Sequence, residues 1–156
     1  SLACGMAMGE MLRGSDSRVF LIVSDGESNE GQVWEAFSFA AAKKLVHLVV
    51  LLDWNQRQLD GWTEDVLSMG DYVEKFNAFG FDTVKVDGND VEALQGALEH
   101  TRVGNGKPFA IVMDTVKGAG IKEVAETVMN HSLTVNDEQY TRWMAQLQSE
   151  LDALEG

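Results

Sequence analysis

The stretch from Val19 to Gly61, VFLIVSDGESNEGQVWEAFSFAAAKKLVHLVVLLDWNQRQLDG, decides the fold. It opens on the apolar run VFLIV (19–23) and contains a second, HLVVLL (47–52). Short unbroken apolar runs fit strands buried on both faces of a parallel sheet. Between them Val33, Trp34, Phe37, Ala40 and Ala41 recur at helical spacing, which predicts a helix from the loop SDGESNEG (24–31) to about Leu45. Strand, crossover helix and parallel strand form the unit from which doubly wound sheets are built.

Upstream, residues 2–13 read as a small-residue helix in which Gly5 and Gly9 permit close packing, followed by a turn at 14–17. Downstream, a short helix is expected over 71–79 and a third strand over 83–86. Asp90 can cap a helix over 91–102, with Gly104 near its stop. A fourth strand, FAIVM (109–113), follows Pro108, where a proline is harmless. Residues 114–135 read as a long loop carrying KGAG. Asn136 and Gln139 have capping-box spacing and open a last helix. Its apolar stripe is Tyr140, Trp143, Met144, Leu147, Leu151 and Leu154. With no repeat, linker or low-complexity segment, the expectation is a single α/β domain over 1–156, a doubly wound parallel sheet with helices on both faces.

The chain has 156 residues, 25 acidic against 12 basic, for a formal charge of −13. Nucleic acids and anionic membrane surfaces are thereby excluded as expected partners, since binding phosphate needs a basic stripe. The single cysteine, Cys4, allows no internal disulfide and no Cys/His zinc cluster. There is no apolar run long enough for a transmembrane helix and no visible signal peptide, so a cytoplasmic setting is expected.

In open parallel sheets, ligands bind beyond the carboxyl ends of the strands. Two polar loops leave such ends here, Ser24-Asp25-Gly26-Glu27 and Asp53-Trp54-Asn55. Asp25 and Asn55 are one strand–helix–strand unit apart, so neighbouring strand ends can bring their side chains together. A carboxylate, an amide oxygen and a backbone carbonyl are hard oxygen donors, half of the octahedron that Mg²⁺ takes at about 2.1 Å. A diphosphate supplies two more. Gly26 lacks a Cβ, so its backbone can approach a phosphate, and the helix after Gly31 adds amide donors and a dipole. Singly, Asp-Gly and Asp-x-Asn are ordinary turn sequences. Their joint placement after consecutive buried strands points to a site.

The stretch resembles the thiamine diphosphate motif, which begins Gly-Asp-Gly and ends in an Asn one strand–helix–strand unit later. D-G-E-x-x-E-G-x-x-W-E-A (25–36) and D-x-N-x-x-Q-x-D-G (53–61) resemble transketolases more closely still. Ser1–Met8 resembles that family's S-x-A-x-G-M-A helix, Thr115–Gly120 its T-x-K-G-x-G loop, and His131 its late His-Gly segment. The resemblance implies thiamine diphosphate and Mg²⁺ as cofactors, with Asp25, Asn55 and the Arg57 carbonyl on the metal. Gly26 is implied at the diphosphate, and His131 near both cofactor and sugar. Glu30 is implied at a dimer interface between paired cofactor sites; Glu30 and His131 are the expected catalytic residues. The implied reaction carries a two-carbon ketol unit between sugar phosphates, with the cofactor as electron sink. The implied partner is a second transketolase subunit or a pyrimidine-binding domain, in a homo- or hetero-oligomer.

Two features depart from the family pattern. Ser24 stands where the family has the first Gly of Gly-Asp-Gly, and cofactor binding is expected to survive the exchange. The chain also starts late, like the back part of the first subunit of a split bacterial transketolase, and is expected to be inactive alone. The alpha subunit of a thiamine-dependent 2-oxo acid dehydrogenase shares motif and fold. Trp34-Glu35-Ala36, and Asp60-Gly61 after Gln58, favour transketolase over it. A non-catalytic interaction module with a decayed cofactor site is the other alternative. No nucleotide-binding glycine motif is present.

Overall fold

The structure is a computed structural model and describes residues 1–101 and 105–155. α1 (Leu2–Leu12) leads into β1 (Val19–Ser24), and α2 (Gly31–Ala42) crosses to β2 (Leu48–Trp54). A small hairpin, β3 (Arg57–Gln58) and β4 (Gly61–Trp62), precedes α3 (Thr63–Leu67) and α4 (Tyr72–Phe79). β5 (Asp82–Asp87), α5 (Val91–His100), β6 (Phe109–Asp114), α6 (Lys122–Glu126) and α7 (Asp137–Glu155) complete the order. The main sheet is parallel throughout, ordered β1-β2-β6-β5.

Side-chain alternation along β2 divides the core. Leu48, Val50 and Leu52 face a cluster that includes Ala7 of α1, Phe37 and Ala40 of α2, and Phe76 of α4. Val49 and Leu51 face the other way, with Phe109 and Ile111 of β6 and Ala97 of α5. Helices thus cover both faces, as expected of an α/β sheet with buried strands. The second face is unevenly covered. Phe20 and Ile22 of β1 lie opposite Val49 and Leu51 and are 47% and 69% exposed.

Trp34 holds α2 against α4, its ring centroid 5.2 Å from Phe79 and 5.9 Å from Phe76. Trp34 and Phe37 are therefore packing residues, while Phe39 stays exposed. The capping box at α7 is reciprocal: the Asn136 amide donates to Gln139 Oε1 (3.1 Å) and the Gln139 amide to Asn136 Oδ1 (2.9 Å).

Three local expectations shift. α2 ends at Ala42 because Lys44 takes a left-handed φ of 51° and turns the chain toward buried Leu45. The 114–135 loop contains α6. Of the α7 stripe, Trp143 is buried, but Tyr140, Met144, Leu151 and Leu154 are exposed. The expected helix over 91–102 is found to His100; Arg102 and Gly104 lie outside the described residues. No helix of the described residues is long and apolar enough to cross a membrane.

Candidate functional site at the carboxyl ends of the strands

The Asp25 amide donates to the Asp53 carbonyl (3.1 Å), so the sheet ladder continues past β1 and sets the two polar loops side by side. The Asp25 side chain is fully buried. One carboxylate oxygen accepts from the Gly26 amide (2.7 Å), the other from the Thr63 hydroxyl (3.0 Å). Its carbonyl accepts from Ser28 Oγ (2.6 Å) and Tyr72 Oη (3.3 Å), and these hydroxyls are 2.7 Å apart. The turn is thereby locked from beneath. Ser24 serves the turn too, its Oγ accepting from the Glu27 amide at 3.1 Å.

Burial pushes the Asp25 carboxyl up from the ordinary value. Hydrogen bonds from Thr63, Gly26 and Gln56 oppose the shift, and the Asp53 charge adds to it. Burial likewise pushes the Tyr72 phenol up to about 12, with the Ser28 hydrogen bond opposing and the Asp25 charge adding. Gly26 has an ordinary φ of −63°, yet a Cβ there would stand 2.8 Å from Gln58 Cβ. Glycine is needed here for space rather than for backbone freedom.

In the second loop Asn55 Nδ2 donates to Asp53 Oδ2 (2.7 Å), and Asn55 Oδ1 accepts from the Arg57 amide (3.0 Å). The Thr115 hydroxyl donates to the other Asp53 oxygen. Arg57 is 8% exposed; its guanidinium lies 3.5 Å over the Trp62 ring and donates to the Thr127 carbonyl (3.2 Å). The third segment follows β6. Asn130 Nδ2 donates to the carbonyls of Lys117 (3.1 Å) and Val124 (3.0 Å), closing this loop on itself. Lys117 Nζ lies 3.0 Å from His131 Nδ1.

Gly26, Asn55, Arg57 and His131 line one cavity of about 600 Å³, together with Asp53, Lys117 and Gln58. Asp25 lies buried between two of its lining residues, Ser24 and Gly26. Glu30 is exposed at the start of α2 and is not among the lining residues. The structure therefore gathers all the expected site residues except Glu30. Thr63, Thr115 and Tyr72, which hold the carboxylates and their turn, were not apparent in the sequence, because they come from other loops and a helix start. Lys117 was visible only as a letter of TVKGAG.

The oxygen-rich centre fits a hard cation. Among the described residues no basic side chain pairs with Asp25 or Asp53. No cluster of three His, Cys, Asp or Glu side chains suited to a metal occurs either. A site here would draw on carboxylate, amide and carbonyl oxygens, the donor chemistry of Mg²⁺.

A parallel α/β sheet with polar loops gathered at its carboxyl edge defines the class of domain. The family model for the transketolase thiamine diphosphate binding domain matches residues 9–150, and the chain belongs to that family. A relative in Clostridium sp. (strain MSTE9), 6-deoxy-6-sulfo-D-fructose transketolase subunit SqwG, is 32% identical over 96% of this chain and 54% of its own length. An apulose-4-phosphate transketolase subunit of Actinobacillus succinogenes is 35% identical over 88% of this chain and 50% of its own. The chain thus spans about half the length of these relatives. Among solved structures, transketolase from Leishmania mexicana superposes with a TM-score of 0.72 at 25% identity, over 98% of this chain and 28% of that one. Transketolase from Campylobacter jejuni gives a TM-score of 0.73 at 23% identity, covering 98% and 28%.

Proposed function

We propose that this chain supplies the diphosphate- and Mg²⁺-binding part of an enzyme that transfers a two-carbon ketol unit between sugar phosphates. The observation that carries this reading is the Asp25 carboxylate, fully buried at a strand end beside Asp53 with no cationic partner among the described residues. Two neighbouring carboxylates in a partly desolvated site are unfavourable without a cation. Asp25, Asn55 and the Arg57 carbonyl would hold Mg²⁺, and Gly26 would let the backbone approach the diphosphate. Bound thiamine diphosphate would supply the electron sink for making and breaking the carbon–carbon bond.

The residues of this chain act around that chemistry. Tyr72, Ser28 and Thr63 fix the Asp25 turn. His131, which lines the cavity with Lys117, would contact the cofactor or the sugar. Glu30, exposed and not among the lining residues, would act at an interface with another subunit rather than on substrate. The naming of these relatives as transketolase subunits supports a second chain as partner. The domain, cytoplasmic and oligomeric in this proposal, is expected to be inactive alone.

The test is a ketol-transfer assay with the chain alone and mixed with both the part of a first subunit that the match leaves uncovered and the second subunit of a split transketolase. Transfer in the mixture only, dependent on Mg²⁺ and thiamine diphosphate, is expected. Undiminished transfer without Mg²⁺ would overturn the metal role.

A further inference from the structure

Arg57 enters the proposed metal site only through its backbone carbonyl, which leaves its side chain without a role. That side chain is nine-tenths buried and lines the cavity. A guanidinium carries five N–H donors in a planar fork. Among the described residues one acceptor, the Thr127 carbonyl, engages it, and Trp62 covers one of its faces. Among the described residues no carboxylate stands within ion-pair distance. A buried charge without a counter-ion is destabilising, and an anionic ligand entering the cavity would remove that defect. A diphosphate carries more negative charge than one Mg²⁺ cancels. Arg57 lines the same cavity as Gly26 and Asn55, the residues proposed to meet the diphosphate and its metal.

We infer that the Arg57 side chain is an anion-recognition group of this cavity, its fork taking phosphoryl oxygens of the cofactor's diphosphate. The inference rests on the proposed function. Trp62 holds the fork flat, and the Thr127 bond fixes its rotation. Such a residue is maintained for binding at the expense of ligand-free stability, whereas a structural strut would do the reverse.

The test uses the full chain, its Arg57→Met and Arg57→Lys variants, and two probes with Mg²⁺, thiamine diphosphate and inorganic pyrophosphate. Calorimetry measures affinity, and thermal denaturation without ligand measures stability. Arg57→Met is expected to melt no lower than wild type and to bind both probes about tenfold or more weakly, the loss of a charge-assisted contact. Arg57→Lys should recover part of the loss, because it keeps the charge without the fork. Met-variant affinities within twofold of a wild type that binds both probes overturn the Arg57 inference alone. So does a ligand-free Met variant that melts well below wild type while the Lys variant does not, since the charge is then structural. A loss confined to thiamine diphosphate places the contact off the diphosphate and also overturns it. A folded wild type that binds neither probe overturns the metal–diphosphate reading itself.

Discussion

Replacing Gly26 with alanine should destabilise the fold through one contact. The ideal Cβ would lie 2.8 Å from Gln58 Cβ and 3.3 Å from Gln58 Oε1. Carbon atoms pack favourably at about 3.5–4.0 Å, so the first contact is severe. Gln58 Oε1 can rotate away, but its Cβ is fixed to β3 and moves only with the hairpin. The φ of −63° at Gly26 suits alanine, so backbone strain contributes nothing. Forced overpacking of this kind costs about 1–3 kcal/mol. For a chain of this size, each kcal/mol lowers Tm by about 2–4 °C. Urea denaturation of Gly26→Ala, Gln58→Gly and the double variant gives the coupling between the positions. The double variant should recover most of the alanine penalty, because Gln58→Gly removes the opposing Cβ. A Gly26→Ala protein within about 0.5 kcal/mol of wild type, or a cycle with no coupling, refutes the close-approach account.

Three further outcomes follow from the same geometry. Folded Tyr72 ionises above the value near 10 of an unfolded tyrosine, so the native state keeps its proton longer. Stability present below pH about 10 is therefore lost as pH rises toward about 12, and Tyr72→Phe should lack this alkaline fall, as denaturation across that range will show. Thr63→Val removes the hydroxyl from a buried Asp25 oxygen and should cost about 1–3 kcal/mol by denaturation. Asn136→Ala opens the reciprocal cap of α7 and should cost about 0.5–2 kcal/mol, read as lost helicity and a lower Tm.

Much of the sheet was legible because its strands are short unbroken apolar runs set between segments of helical spacing. VFLIV, HLVVLL without its His47, and FAIVM each became a strand, extended by one or two residues into the polar loop that follows. Asp90 and Asn136 declared their helices by side-chain chemistry and both cap as expected. The α7 stripe misled because periodicity reports amphipathicity without naming what covers the face, and only part of it meets this chain. The β3–β4 hairpin was illegible, being two residues per strand and too short to show a period. At the site, the paired loops after β1 and β2 could be read because parallel topology brings strand ends together. Thr63 and Tyr72 could not, since nothing local marks a residue that reaches Asp25 from 38 or 47 positions away. Arg57 was readable as a carbonyl position, but its burial against Trp62 depends on the hairpin.

The central claim is that Asp25 and Asn55 hold Mg²⁺ for the diphosphate of thiamine diphosphate. Calorimetric titration of the purified chain with the cofactor, with and without Mg²⁺ and beside Asp25→Asn, tests it most directly. Asp25→Asn keeps the shape of a fully buried side chain and removes its charge. Saturable binding that requires Mg²⁺ and is lost in the variant is the predicted result. Binding of equal strength without Mg²⁺ or by Asp25→Asn, or none by a folded wild-type chain, would contradict the account.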